Sequence, residues 1–166
     1  LKISSDAAYL VLPKARSRVA VHMHLGWKDS NRVNGPVEVI CQTLKNVVGS
    51  AAEAETGGIY TGGQKAHPMI YALEEMGHKQ PPDGNPFETD NKTAKGILCS
   101  NMRQKLSKAF DMRYWWMKDR IRQKMYNLLW KPGKTNLADY FTKHHPPWHH
   151  RKMRYKYIQR LNLALR

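Results

Sequence analysis

The sequence predicts a mixed α/β domain built on one five-stranded sheet, an antiparallel meander followed by parallel strands, with helices on both faces. Three observations predict it. The first 44 residues hold three stretches with strand patterning, joined by short segments rich in turn formers. From Ser50 onward, helix-patterned and strand-patterned stretches alternate. No internal repeat or low-complexity linker divides the 166 residues, a length that suits one domain.

Each element follows from its residues. LKISSDAAYLVL (1–12) is strand-like and carries Asp6; Pro13 and the basic KARSR turn the chain. VAVHMHLGW (19–27) places Val19, Val21, Met23 and Leu25 on one side of a second strand. KDSNRVNGP (28–36) is dense in turn formers, and the β-branched VEVICQTL (37–44) is a third strand. Ser50 and Glu53 have capping-box spacing and open a helix. Gly57, Gly58, Gly62 and Gly63 weaken that helix, by about 1 kcal/mol each relative to Ala. Pro68 predicts a kink or a restart, with MIYALEEMGH (69–78) helical up to Gly77. QPPDGNP (80–86) is a loop. FETDNKTAKGI (87–97) is a strand ending on Asp90 and running directly into a helix over 91–99. Leu106, Phe110, Tyr114, Met117 and Ile121 recur at helical spacing over 103–123. MYNLLWK (125–131) is the fifth strand. PGKTN turns, and Thr135 or Asn136 caps a last helix containing Asp139. Residues 1–143 form the domain, and 144–166 a basic, aromatic tail.

Composition narrows the partners. Hydrophobic residues make up 41%, enough for a packed core. No stretch approaches the roughly 18 apolar residues of a membrane span, so no membrane insertion is expected. No signal peptide is visible, and the opening Leu1 predicts that the chain was cut from something longer. Cys41 and Cys99 are too few for a disulfide scaffold and are expected to be buried apolar residues in a reducing compartment. Lys and Arg number 28 against 13 acids, a net charge of +15. That balance points to a polyanion, nucleic acid ahead of an anionic membrane surface. No acidic residue follows Asp139. Tyr114, Trp115, Trp116 and Trp130 read as core, and HHPPWHH (144–150) lacks structural-zinc spacing.

Four patches resemble a known family in its own order. SDAAYLVLPKARSR, GSAAEAE, TDNKTA and NLADYFTK, with the helix SKAFDMRYWWMKDRI before the last, are similar to the ribonuclease H domain that ends the Pol polyprotein of Ty1/copia-type retrotransposons. The likeness covers about residues 4–158. It implies an RNase H-like fold and a ribonuclease H that hydrolyses the RNA strand of RNA·DNA hybrids during reverse transcription, leaving 3′-hydroxyl and 5′-phosphate ends. It implies Asp6, Glu55, Asp90 and Asp139 as catalytic residues and metal ligands for two Mg²⁺ ions, with Mn²⁺ as the alternative. Glu55 holds the position that the family uses, and Glu53 reads as the capping residue. The implied partners are the hybrid and the reverse transcriptase domain of the same polyprotein. The implied location is cytoplasmic, in a virus-like particle, or nuclear. Two departures stand out. TGG follows the EAE, and no His precedes Asp139 in LLWKPGKTNLAD, while His144 and His145 follow it.

The chemistry explains the residue types. Two divalent ions roughly 3.5–4 Å apart can activate a water and stabilise a leaving alkoxide, and hard Mg²⁺ prefers carboxylate oxygens. From spacing alone, the same acids read as caps, turn residues and helix-dipole partners. Lys108 and Arg113, with Lys118, Arg120 and Arg122 on the same helix, are candidates to seat a phosphate backbone. Ser5, Ser50, Asn91, Thr93 and Asn101 are candidates to sense 2′-hydroxyls. The rival expectation is a catalytically degenerate domain that binds nucleic acid or supports a reverse transcriptase, motivated by the glycines after Glu55.

Overall fold

A computed structural model describes residues 1–26, 35–100 and 108–158. Five strands form one sheet in the order β3-β2-β1-β4-β5. They are β1 (Lys2–Leu12), β2 (Arg16–His24), β3 (Pro36–Thr43), β4 (Asn85–Thr89) and β5 (Tyr126–Trp130). The β1–β2 and β2–β3 pairs are antiparallel, with Asp6 opposite Ala20 and Ala20 opposite Cys41. The β1–β4 and β4–β5 pairs are parallel, with Ile3 beside Phe87 and Phe87 beside Leu128. The expected meander and parallel half are both present. β2 starts at Arg16, three residues before the expected Val19, and the turn expected over 28–36 lies mostly outside the described residues.

Alternation along the strands assigns the two faces. Ile3, Val21, Met23 and Phe87 join Ile59, Ala66 and Ile70 of helix α1 (Ala51–Glu75) in the main core. Ser4, Asp6, His22 and His24 have the opposite parity and are buried on the other face, where Asp6 meets Thr142 and His22 meets Phe141. Helix α2 (Lys92–Cys99) and helix α3 (Lys108–Arg122) complete the α1 side, contributing Leu98, Tyr114 and Met117 to the core. The expected helix start at residue 103 lies outside the described residues. A 3₁₀ turn (Gly133–Thr135), the four-residue helix α4 (Asp139–Thr142) and helix α5 (Pro147–Tyr157) close the chain.

α1 departs from expectation. It runs continuously through all four glycines and through Pro68, so of the expected kink or restart the restart does not occur. The glycines face packed neighbours. A Cβ on Gly62 would lie 2.8 Å from the Phe87 ring and 3.1 Å from a Val21 methyl; one on Gly63 would lie 2.6 Å from Met117 Sδ. Their missing side chains let the helix lie close on the sheet and on α3, and that burial outweighs their poor propensity. Gly77, at φ +88°, then ends the helix as expected.

Three smaller expectations also fail. Cys41 and Cys99 are both exposed, because they sit on the edge strand and at the last turn of α2. Trp115 is exposed and Trp130 half-exposed, whereas Tyr114 is core. Thr135 and Asn136 do not cap α4; Ala138 occupies that position. Asn136 instead fixes the turn before it, accepting from the Ala138 N–H at 3.0 Å and donating to the Ser5 carbonyl at 2.7 Å. Among the described residues no helix is long and apolar enough to cross a membrane.

Candidate active site

Four segments bring acids together at one edge of this framework. Asp6 projects from the middle of β1, and Asp90 follows the last residue of β4. Asp139 opens α4, and Glu55 lies in the second turn of α1. One carboxylate oxygen each from Asp6, Asp90 and Asp139 lies within 4.8 Å of the other two. At that separation two full charges repel by roughly 3 kcal/mol at an effective dielectric of about 20.

Local structure explains each position. Asn91, not Asp90, is the N-cap of α2, its side chain accepting from the Ala94 N–H at 2.9 Å. Asp90 is therefore relieved of capping, and its backbone carbonyl accepts from the Trp130 indole at 2.8 Å. Lys92 covers that indole at 4.4 Å. The loop after β5 comes close only because residue 133 is glycine: a Cβ there would sit 2.6 Å from Asp90 Oδ2. Ser50 caps α1 and accepts from the Glu53 N–H at 3.1 Å, while Glu53 accepts from the Gly49 N–H at 2.7 Å. Glu53 thus has the helix-start role expected of it and Glu55 faces the sheet.

Glu55 stands beside the three aspartates rather than within their group. Its Oε1 accepts from the Ala7 N–H at 2.9 Å, and its Oε2 accepts from the Thr89 hydroxyl at 3.4 Å. Both oxygens are held by the framework.

Burial dominates the electrostatics. Asp6 is only 4% exposed. Desolvation pushes its carboxyl up to about 6; the Thr142 hydrogen bond opposes this, and the charges of Asp139 and Asp90 add to it. Glu55 is raised well above the usual carboxylate range, by burial first and by Asp6 next. Asp90 is raised by burial and then by Asp139. Acids that resist ionisation this way form a site short of positive charge.

Two unforeseen residues answer that shortage. The Thr142 hydroxyl donates to Asp6 Oδ2, and the Lys143 ammonium pairs with Asp139 Oδ1. The Asp139 contact raises the Lys143 pKa, and Asp6 and Asp90 raise it further. Both residues stand in the quoted NLADYFTK stretch, three and four positions after Asp139. One helical turn places them on the Asp139 side, which was the available signal.

The expected nucleic-acid contacts are dispersed. Ser50 and Asn91 are both helix caps with their side-chain oxygens engaged. Ser5 is fully buried, so it cannot meet a 2′-hydroxyl. Arg113 donates to Asn46 at 2.8 Å, Lys118 to the Ser100 carbonyl at 2.6 Å, and Arg122 to Asp119 at 2.8 Å. The side chains of Lys108 and Asn101 lie outside the described residues. His145 stacks on Tyr140 at 5.0 Å and contacts its carbonyl at 3.1 Å.

With this geometry in view, solved structures supply a comparison. The N-terminal ribonuclease H domain of a Mycobacterium tuberculosis protein, solved as a fusion with maltose-binding protein, superposes with a TM-score of 0.55 at 13% identity, covering 84% of this chain and 88% of that one. The fold is RNase H-like. Ribonuclease H1 of the halophilic archaeon Halobacterium salinarum superposes with a TM-score of 0.51 at 16% identity, covering 84% of this chain and 92% of that one. No known family profile matches the sequence, and no curated protein matches it. On this RNase H-like framework, the three aspartates form an oxygen-only donor set that suits a hard divalent cation, and the Lys143 ammonium beside them shows that the position favours positive charge.

Proposed function

We propose that this chain is a metal-dependent ribonuclease H acting on the RNA strand of RNA·DNA hybrids, and that it derives from the Pol polyprotein of a Ty1/copia-type retrotransposon, where it would work beside the reverse transcriptase. The observation that carries the reading is the convergence of Asp6, Asp90 and Asp139, with Glu55 alongside, on an RNase H-like sheet. The retrotransposon assignment rests on the four sequence patches, which include all four acids.

Asp6, Asp90 and Asp139 would hold divalent ions, with Mg²⁺ the expected species and Mn²⁺ the alternative. Such ions, when bound, supply an activated water and charge stabilisation for the leaving oxygen. The chain's own residues prepare the place. Thr142 orients the Asp6 carboxylate, and Gly133 leaves room at Asp90. Burial keeps the acids poorly hydrated and ready to accept a cation. Glu55 would enter the ligand set by releasing the weaker of its two contacts, the 3.4 Å bond from Thr89. The expected products carry a 3′-hydroxyl and a 5′-phosphate.

A second reading, a domain that binds hybrid without cutting it, is favoured by one observation: both Glu55 oxygens are engaged within the fold. Cleavage of a labelled RNA·DNA hybrid with Mg²⁺ and then Mn²⁺ separates the two, with duplex RNA and duplex DNA as controls. The nuclease reading requires hybrid-only cleavage that Asp90→Asn reduces by at least about a hundredfold, the scale of losing a group that stabilises transition-state charge. Wild-type binding without cleavage under either metal supports the second reading.

A further inference from the structure

The helix α5 carries a mixed basic and aromatic stripe that the proposed hydrolysis does not use. Trp148, Arg151, Lys152 and Tyr155 are spaced i, i+3, i+4 and i+7, so they share one helix face. All four are exposed, Trp148 at 62% and Tyr155 at 70%. The opposite side of α5 is the packed one. Tyr157 is buried, stacks on Tyr140 at 4.9 Å, meets Phe141 edge-to-face at 5.2 Å, and donates to the Leu137 carbonyl at 2.9 Å. His149 stacks on His145 at 4.2 Å, and the Tyr140 hydroxyl meets His150. α5 is therefore clamped to α4, the helix that begins with Asp139.

We infer that the Trp148–Arg151–Lys152–Tyr155 stripe is a docking surface for the sugar-phosphate backbone of an RNA·DNA hybrid, placed to hold the duplex beside the aspartate cluster. The inference rests on the hybrid reading of the site. Charge complementarity carries it. No acidic residue follows Asp139 in the sequence, and neither Arg151 nor Lys152 has a salt bridge among the described residues. The cations of α3 differ: Arg113, Lys118 and Arg122 are each bonded within the domain. The stripe is about 10 Å long at 1.5 Å per residue, which spans roughly three phosphates of one strand. Arg151 and Lys152 would take phosphates, the Tyr155 hydroxyl a phosphate or sugar oxygen, and Trp148 would lie against sugars. An anionic membrane is the poorer fit, because the stripe has no aliphatic residue to enter the acyl region.

The test uses the whole chain with Ca²⁺ in place of Mg²⁺ and reads hybrid binding by fluorescence anisotropy over about 50–200 mM salt. Arg151→Ala/Lys152→Ala should weaken binding about tenfold and flatten the log–log salt slope by nearly two, about one per lost phosphate contact. Trp148→Ala/Tyr155→Ala should weaken binding several-fold with the slope unchanged, since no charge is lost. Unchanged thermal midpoints verify that both variants are folded. If wild type binds and cleaves hybrid while both double variants match its affinity and slope, the stripe is overturned and the nuclease reading stands. If wild type binds no hybrid at low salt, both are overturned. If the variants lose binding to phosphatidylserine vesicles but keep it to hybrid, the stripe is a membrane surface and the inference is wrong.

Discussion

Two glycines in α1 give opposite expectations for one substitution. Alanine at either Gly58 or Gly62 should gain up to about 1 kcal/mol of helix propensity. At Gly58 the new Cβ would meet the Asp6 carbonyl and a Val19 methyl at 3.6 Å, which is ordinary contact, so Gly58→Ala should stabilise by roughly 0.5–1 kcal/mol. At Gly62 it would meet the Phe87 ring at 2.8 Å and Val21 methyls at 3.1 and 3.3 Å. Phe87 and Val21 are both fully buried, so neither can swing into solvent. Overpacking of this kind costs about 1–3 kcal/mol, leaving Gly62→Ala neutral to about 2 kcal/mol destabilised. The two variants should therefore differ by about 1–3 kcal/mol, which at a urea m-value of roughly 2 kcal/mol per molar separates their midpoints by about 0.5–1.5 M. Urea unfolding followed by circular dichroism measures it. A Gly62→Ala protein at least as stable as Gly58→Ala would refute the close helix-to-sheet approach.

Two further outcomes follow from the charges at the site. In EDTA at pH 7.5, Asp6→Asn should stabilise the protein. Its carboxyl is raised from 3.8 to about 6 in the folded state, so the native chain binds more protons than the unfolded one between those values. Stability then falls as pH rises through that window, by about 3 kcal/mol in full above it, and the gap between wild type and Asp6→Asn should vanish near pH 4. Equal thermal midpoints at pH 7.5 would contradict this. Lys143→Met removes the ammonium paired with Asp139, so calorimetric titration with Mn²⁺ should show several-fold tighter binding than wild type; unchanged or weaker binding would show that Lys143 does not compete for the cluster.

The strands were legible because one face of each is apolar, and alternation registers that directly in LKISSDA and VAVHMH. The expected strand end at Asp90 falls one residue past β4, and it was legible because a helix start follows at once. What stayed hidden depended on distances between segments. The continuity of α1 rests on how closely Gly62 approaches Phe87, which no local propensity encodes. Asn136 looked like a cap because Asn commonly is one, yet its amide reaches Ser5, 131 residues away in sequence. The reading of residues 144–166 as a basic, aromatic tail assigned no helix to 147–157, although Pro at the first helical position favours initiation. Glu55 was placed correctly on its helix, while its bonds to Ala7 and Thr89 could not be read from spacing.

The acids near this sheet edge also show how structural and ligand-ready carboxylates differ. Glu88 lies one residue before the end of β4, yet Lys131 pairs with one of its oxygens and the Ser4 hydroxyl donates to the other at 3.4 Å. Its charge is answered locally. Glu53 is used up at the start of α1 by the Gly49 N–H. Asp90, two residues beyond Glu88, has had its alternative duties transferred: Asn91 caps the helix and the Asp90 carbonyl, not the carboxylate, holds Trp130. Its carboxylate faces two others, and its pKa is raised by burial first and by Asp139 next. A carboxylate retained there lowers the stability of the metal-free fold and caps nothing, which is the pattern expected of the proposed cation ligand rather than of a structural acid.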